Sequence, residues 1–233
     1  TIALHNLHIL MKVVKESKEA IREGRLWEYL GSKARCHPRL WEAFMDISEH
    51  IEYLEDGSPL FKSKAVFFTE SIDYVRPEVK HHRWRLEHNI ELTKPILLLL
   101  PEVEVRPFFR SPLYTSISKV LMKRRNKVQV CFIVPTFGVI PLEISDIYPL
   151  SQYESSFKQD SCPDISQAVL KDIERIANSK TITEIVMLVD GVFSRKLVEK
   201  LKTKRAISIV EAENGDFQKT IEKLVEKLSK IQP

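Results

Sequence analysis

Glycine is scarce in this chain, six residues in 233. Neither of the two common glycine-rich phosphate loops is present, which removes the P-loop and the dinucleotide fingerprint as sources of nucleotide chemistry. Cysteine is scarcer still. Cys36, Cys131 and Cys162 are odd in number and widely spaced, which excludes a disulfide framework and a self-contained zinc knuckle and points to a reducing, cytoplasmic setting. Uninterrupted apolar runs reach only five residues, as in Ile96–Leu100, whereas a membrane helix needs about 20. No signal peptide opens the chain, and it begins at Thr1 within what reads as an amphipathic helix, the expectation for a piece of a longer chain.

Acidic residues are missing from one long stretch. Between Val105 and Leu142 there is no carboxylate, while Arg106, Arg110, Lys119, Lys123, Arg124, Arg125 and Lys127 are all basic. A second basic cluster runs Arg76, Lys80, His81, His82, Arg83 and Arg85. The net charge of +4 says little alone, but cations concentrated in this way attract phosphate and release its counterions. A solvated helix face is the competing reading.

What is present divides the chain in two. Residues 1–59 read as successive helices. Ile9, Leu10, Val13, Val14, Ala20 and Ile21 follow helical spacing, Gly24 interrupts, and Leu26, Trp27 and Leu30 resume it. Pro38 stands at a first-turn position, before the apolar stripe Leu40, Ala43, Phe44, Ile47, Ile51, Leu54. Residues 60–94 read as a connector, with a short strand at Ala65–Phe68 and a helix starting at Arg76-Pro77. From 95 to 233 short apolar runs (Ile96–Leu100, Val128–Val134, Glu184–Val189, Ala206–Val210) alternate with helical stretches. The pattern predicts an α/β domain with a doubly wound, mostly parallel sheet covered on both faces. Cys131, inside an apolar strand, reads as buried and inert. Asp190-Gly191 reads as a turn capping the next helix, and Tyr148–Glu154 as a loop packed on the sheet.

Three blocks carry a family resemblance. Ala3-Leu4-His5-Asn6-Leu7, then Ala20 through Glu28, then His37-Pro38-Arg39-Leu40 resemble, in order and spacing, the end of the barrel in archaeosine tRNA-guanine transglycosylases. Arg76-Pro77-Glu78-Val79, Phe137 through Pro141 and Tyr148 through Glu154 resemble the same family and its paralogue, archaeosine synthase. The resemblance implies that residues 1–59 are a helical segment from the end of a transglycosylase-like barrel, followed by the α/β domain. It further implies a role in archaeosine biosynthesis, the modification of guanine 15 in the tRNA D-arm, with this region binding or positioning tRNA or a partner subunit.

The same resemblance makes His5 a zinc ligand, although the Cys-x-Cys-x-x-Cys that would complete a tetrahedral site is not in this chain. Zinc is therefore expected only with ligands from upstream residues or another chain. His8 and His37 read as structural. The barrel carboxylates that attack the ribose in transglycosylases have no counterpart here. A missing barrel or second subunit is expected to supply them, as well as an RNA-binding domain. A second motif is degenerate. Archaeosine synthase resembles a frame beginning at Pro101, but Glu102 stands for its Cys, Arg106 for its Lys, Phe108 for its Tyr and Tyr114 for its His, with only Ser111 kept. An arginine cannot act as the lysine would, because it does not shed its proton. Whether the chain is itself an enzyme is left open by these residues. Archaeosine synthase and a non-catalytic tRNA-binding subunit are the alternative readings. The tRNA contacts are expected at Arg106, Arg110, Lys119, Lys123, Arg124, Arg125 and Lys127, with Arg83 and Arg85. For Arg106, pairing with Glu102 or Glu104 is an equal alternative.

Overall fold

The structure is a computed structural model that describes residues 1–59, 61–156, 163–213 and 216–231. Cys162 and the chain's last two residues lie outside the described residues. The chain divides into two compact units, Thr1–His81 with Gln152–Ser156, and His82–Ser151 with 157–233. No helix among the described residues is long and apolar enough to cross a membrane.

The first unit is mostly helical. It holds α1 (Ile2–Arg22), α2 (Leu26–Ala34), α3 (Pro38–Met45), α4 (Ile51–Gly57) and strand β1 (Val66–Phe68). Gly24 adopts φ +69 between α1 and α2, a left-handed turn that glycine takes without strain. Pro38 does stand in the first turn of α3, and His37 caps that helix, its Nδ1 accepting from the Arg39 N–H at 3.1 Å. The small core gathers Trp27, Ala34, Phe44 and Ile72, with Trp27 and Phe44 rings 5.3 Å apart. The helical spacing of α1 is as expected from the sequence, but of its apolar residues only Ala20 is buried.

Beside this core lies an ion cluster that the linear sequence conceals. Arg76 belongs to a run that reads as surface charge, yet its side chain is only 1% exposed. Its guanidinium donates to Glu28 Oε1 at 2.7 Å and to the Phe67 carbonyl at 3.1 Å, and it pairs with Glu78 at 3.4 Å. It also lies 5.6 Å from the Trp27 ring centre. Glu78, equally buried, contacts Lys62. Burial opposes ionisation of Glu78, but Arg76 and Lys62 outweigh it and hold the carboxyl below its usual range. Two blocks of the family resemblance, Ala20–Glu28 and Arg76–Val79, thus meet through Glu28 and Arg76. Trp27 is fixed in turn by donating its Nε1–H to Asp73 at 2.7 Å, while Asp73 accepts from the Thr69 and Glu70 amides. Strand β5 (Tyr153–Ser155) pairs parallel with β1 and closes this unit.

The second unit is the α/β domain. Its sheet has the order β4-β3-β2-β6-β7, built from β2 (Ile96–Pro101), β3 (Val128–Val134), β4 (Gly138–Pro141), β6 (Glu184–Val189) and β7 (Ala206–Glu211). All pairs are parallel except β3–β4. Helix α5 (Pro77–Asn89) leads into it from the first unit's sequence. Helices α6 (Pro112–Met122) and α9 (Phe217–Ser229) contact each other, as do α7 (Pro163–Ala177) and α8 (Val192–Lys200). The sheet is therefore doubly wound, as its near-continuous apolar strands require. Alternate residues Leu97, Leu99, Cys131, Ile133, Ile185 and Met187 join Val169, Ile173 and Leu197 in one core. Burial pushes the Cys131 thiol well above its ordinary range, so it is inert at neutral pH.

Candidate nucleic-acid interface

Strand β2 leaves for β3 on one side and its other neighbour is β6. This is a topological switch point, where open α/β sheets generally hold ligands, outside the carboxyl ends of the strands. Here that crevice has a volume of about 380 Å³ and is lined by Glu102, Asp190, Glu213 and Asp216, with Leu113 and Phe217 among the apolar residues. Each carboxylate already has a partner: Glu102 with Arg106, Glu213 with Lys223, Asp216 with the Lys219 amide, Asp190 with the Ser194 hydroxyl. Burial raises Asp190 above the usual carboxylate range. Three of the four carboxylates are thus compensated by the cations Arg106, Lys223 and Lys219.

The degenerate motif beside it serves the fold. Arg106 pairs with Glu102 at 2.8 Å and donates to the Glu104 carbonyl at 2.7 Å. Phe108 is fully buried against Phe132, ring centres 4.7 Å apart. Ser111, also buried, caps α6 by accepting from the Tyr114 N–H at 3.2 Å. Burial, with a smaller effect of Glu143, raises the Tyr114 phenol. The turn after β6 departs from the sequence expectation. Gly191, not Asp190, is the cap position of α8, and the Ser194 hydroxyl accepts from the amides of both.

The later part of the basic stretch lies at the opposite end of the strands. Lys119 stands in the last turn of α6, and Lys123, Arg124, Arg125 and Lys127 lead from it to the start of β3. Arg124 is occupied: it donates to the Ser229 carbonyl at 3.0 Å and the Ile231 carbonyl at 2.7 Å, satisfying the open carboxyl end of α9. That docking brings α9's own lysines alongside. Lys127, Lys227 and Lys230 line one hollow of about 290 Å³ with Glu184. Lys227 lies 4.0 Å from Glu184 and Lys230 pairs with Glu226 at 2.8 Å. Lys119, Lys123, Arg125 and Lys127 pair with no carboxylate among the described residues. No local sequence signal marks Lys227 and Lys230 as part of this face, since 100 residues separate Lys127 from Lys227.

The other basic residues are dispersed. Arg110 is exposed near the carboxyl ends of the strands. Arg83 pairs with Asp172 at 3.0 Å, and Arg85 is half-buried on α5. His82 is buried edge-on against Phe137, ring centres 5.3 Å apart. Burial, reinforced by Arg85 and Arg83, lowers its pKa from 6.5 to about 4. The unfolded chain therefore takes up a proton first, so stability is fully present above about pH 6.5 and falls as pH drops toward 4. The loss should reach roughly 3 kcal/mol. Urea titrations at pH 7 and 4.5 should show it, with a flatter dependence for His82→Gln. Equal pH dependence in the two proteins would rule His82 out as the source.

His5 lies on α1 with an exposed side chain, and among the described residues no group of three or more His, Cys, Asp or Glu is arranged to hold a metal.

A family model described as a domain of unknown function (DUF5591) matches residues 79–231. The chain is 34% identical over 180 residues to the tRNA-guanine(15) transglycosylase of Saccharolobus solfataricus, covering 75% of this chain and 35% of that protein. It is 32% identical to the enzymes of the same name from Methanocaldococcus jannaschii (66% and 22%) and Pyrobaculum aerophilum (69% and 32%). The chain thus spans about a third or less of the curated relatives it matches. A solved structure, that of AF0587, a protein of unknown function, is similar at a TM-score of 0.45 and 17% identity, over 64% of this chain and 48% of that one. With an α/β fold over the matched residues and this set of relatives, the chain belongs to the DUF5591 domain family and is similar over most of its length to archaeal tRNA-guanine(15) transglycosylases.

Proposed function

We propose that this chain is the tRNA-binding region of a transglycosylase-type protein in archaeosine biosynthesis, and that it holds tRNA on the face formed by the ends of α6 and α9. The observation that carries this reading is the set Lys119, Lys123, Arg125 and Lys127, four cations without carboxylate partners among the described residues, in a chain similar to enzymes named for guanine 15 of tRNA. Arg106 and Arg124 are committed to the fold and shape the surface rather than bind phosphate. Arg83, Arg85 and Arg110 are secondary contacts at most. The chemistry of base exchange belongs to carboxylates outside this chain, in a barrel or a second subunit, and so do the ligands that would join His5 around zinc. The synthase reading lacks support, because Glu102 and Arg106 pair with each other where that motif has reactive groups.

The test is equilibrium binding of tRNA to the full chain between about 50 and 200 mM salt. Each phosphate neutralised contributes about −0.9 to the slope of log K against log salt. Four free cations predict a slope of about −3 to −4. Absent binding, or a flat salt dependence, would overturn the reading.

A further inference from the structure

Within the α/β unit, α5, β4 and α7 enclose a second groove of about 300 Å³, at the lower end of the size range of small-molecule sites. Its floor is apolar, made by Leu86, Ile90, Val139 and Ile176. Its rim carries Lys171 and Arg175, one turn apart on α7 and both exposed, with Glu87 facing them from α5. Arg83 and Asp172 stand inside as an ion pair at 3.0 Å, and Arg175 approaches the other Asp172 oxygen only to 4.0 Å. Asp172 reaches this position because of Gly138, at φ +98, where any side chain would overlap its carboxylate. Gly138 belongs to the Phe137–Pro141 block that carries part of the family resemblance, and the RNA face described above makes no use of that block.

We propose that this groove binds one nucleotide. The base lies on the apolar floor, its N–H edge donates to Asp172, and its phosphate meets Lys171 and Arg175. The three features are needed together. An aliphatic carboxylate has no donor for Asp172, and inorganic phosphate leaves the floor uncovered. The same chemistry is offered by a free mononucleotide and by an unpaired residue of an RNA strand.

Calorimetric titration of the full chain with AMP, GMP, inorganic phosphate and a single-stranded RNA heptamer tests this. Mononucleotides should bind more tightly than phosphate. Replacing both Lys171 and Arg175 with Ala, on the exposed side of α7, should weaken them by about tenfold or more. Ala168→Phe, which fills the groove from α7 and leaves both cations, should abolish nucleotide binding. Heptamer binding that persists in the Lys123→Ala, Arg125→Ala, Lys127→Ala protein and that Ala168→Phe then abolishes, without binding of free mononucleotide, would assign the groove to an RNA residue. The proposal is overturned if phosphate binds as well as AMP and GMP. It is equally overturned if, in that triple-variant background, Ala168→Phe leaves mononucleotide and heptamer binding unchanged, or if neither ligand binds. The outcome is independent of the α6–α9 face: a Lys123→Ala, Arg125→Ala, Lys127→Ala protein should lose tRNA affinity and keep nucleotide binding.

Discussion

Arg76→Ala should destabilise the chain by about 3–5 kcal/mol, the usual cost of removing one partner from a buried ion pair. The arginine is almost wholly buried, and its loss leaves Glu78, 2% exposed, with Lys62 alone, and Glu28 with no partner for Oε1. The Phe67 carbonyl also loses its donor. In a chain of this size the expected fall in Tm is roughly 10 °C. The effect has a sign in pH that distinguishes charge from packing. In the parent, Glu78 is held below its ordinary range by Arg76 and Lys62 against the opposing effect of burial. Its contribution to stability is thus present above the ordinary carboxylate range and is lost as pH falls through its lowered pKa. In the variant the carboxyl can protonate and shed its uncompensated charge. The gap between parent and variant should therefore narrow on acidification. A gap that stays constant from pH 7 to 4 would mean that lost packing, not an unpaired charge, accounts for the effect. Arg76→Met, which keeps most of the volume, should still be destabilised at neutral pH.

The second large effect is on RNA. Replacing Lys123, Arg125 and Lys127 together with Ala should flatten the salt dependence of tRNA binding by nearly three units of slope and cost on the order of a hundredfold or more in affinity at low salt. Arg124 is left in place because it holds the end of α9 through two backbone carbonyls. Removing it would undock the helix that contributes Lys227 and Lys230. Arg124→Ala alone is a stability variant, and any loss of tRNA binding by it is indirect. The triple variant should melt like the parent, since none of its three side chains pairs with a carboxylate among the described residues. An unchanged slope would place the RNA elsewhere.

Much of this architecture is legible in the sequence because it is locally encoded. Strands β2, β3, β6 and β7 are short β-branched or leucine runs between amphipathic helices, and that alternation suffices for a doubly wound parallel sheet. Strand β4 is less visible. It is four residues long, begins with glycine and ends with proline, and is antiparallel to β3, so neither length nor composition marks it. Val66–Phe68 reads as a strand, but its partner Tyr153–Ser155 lies in a segment whose sequence reads as a loop. Residues 60–94 read as a connector, and they carry β1 and α5.

The sites were legible only where charge is contiguous. The run from Lys119 to Lys127 announces itself by the absence of acid, whereas its completion by α9 depends on the packing of α6 against α9. The crevice at the carboxyl ends of the strands is lined by Glu102 after β2, Asp190 after β6, and Glu213 and Asp216 after β7. No window of the sequence contains all of these. Arg76 shows the converse error. Its neighbours Lys80, Arg83 and Arg85 suggest a surface cluster, and only Glu28, 48 residues away, reveals it as a core cation.

The claim that the ends of α6 and α9 hold tRNA is tested most directly by photo-cross-linking of 4-thiouridine-substituted tRNA to the full chain, with the adducts mapped by mass spectrometry. Adducts should concentrate in the peptides carrying Lys119 to Lys127 and Lys227 to Lys230, and disappear as salt is raised. Adducts confined to the crevice lined by Glu102, Asp190 and Asp216, with none on that face, would contradict the account.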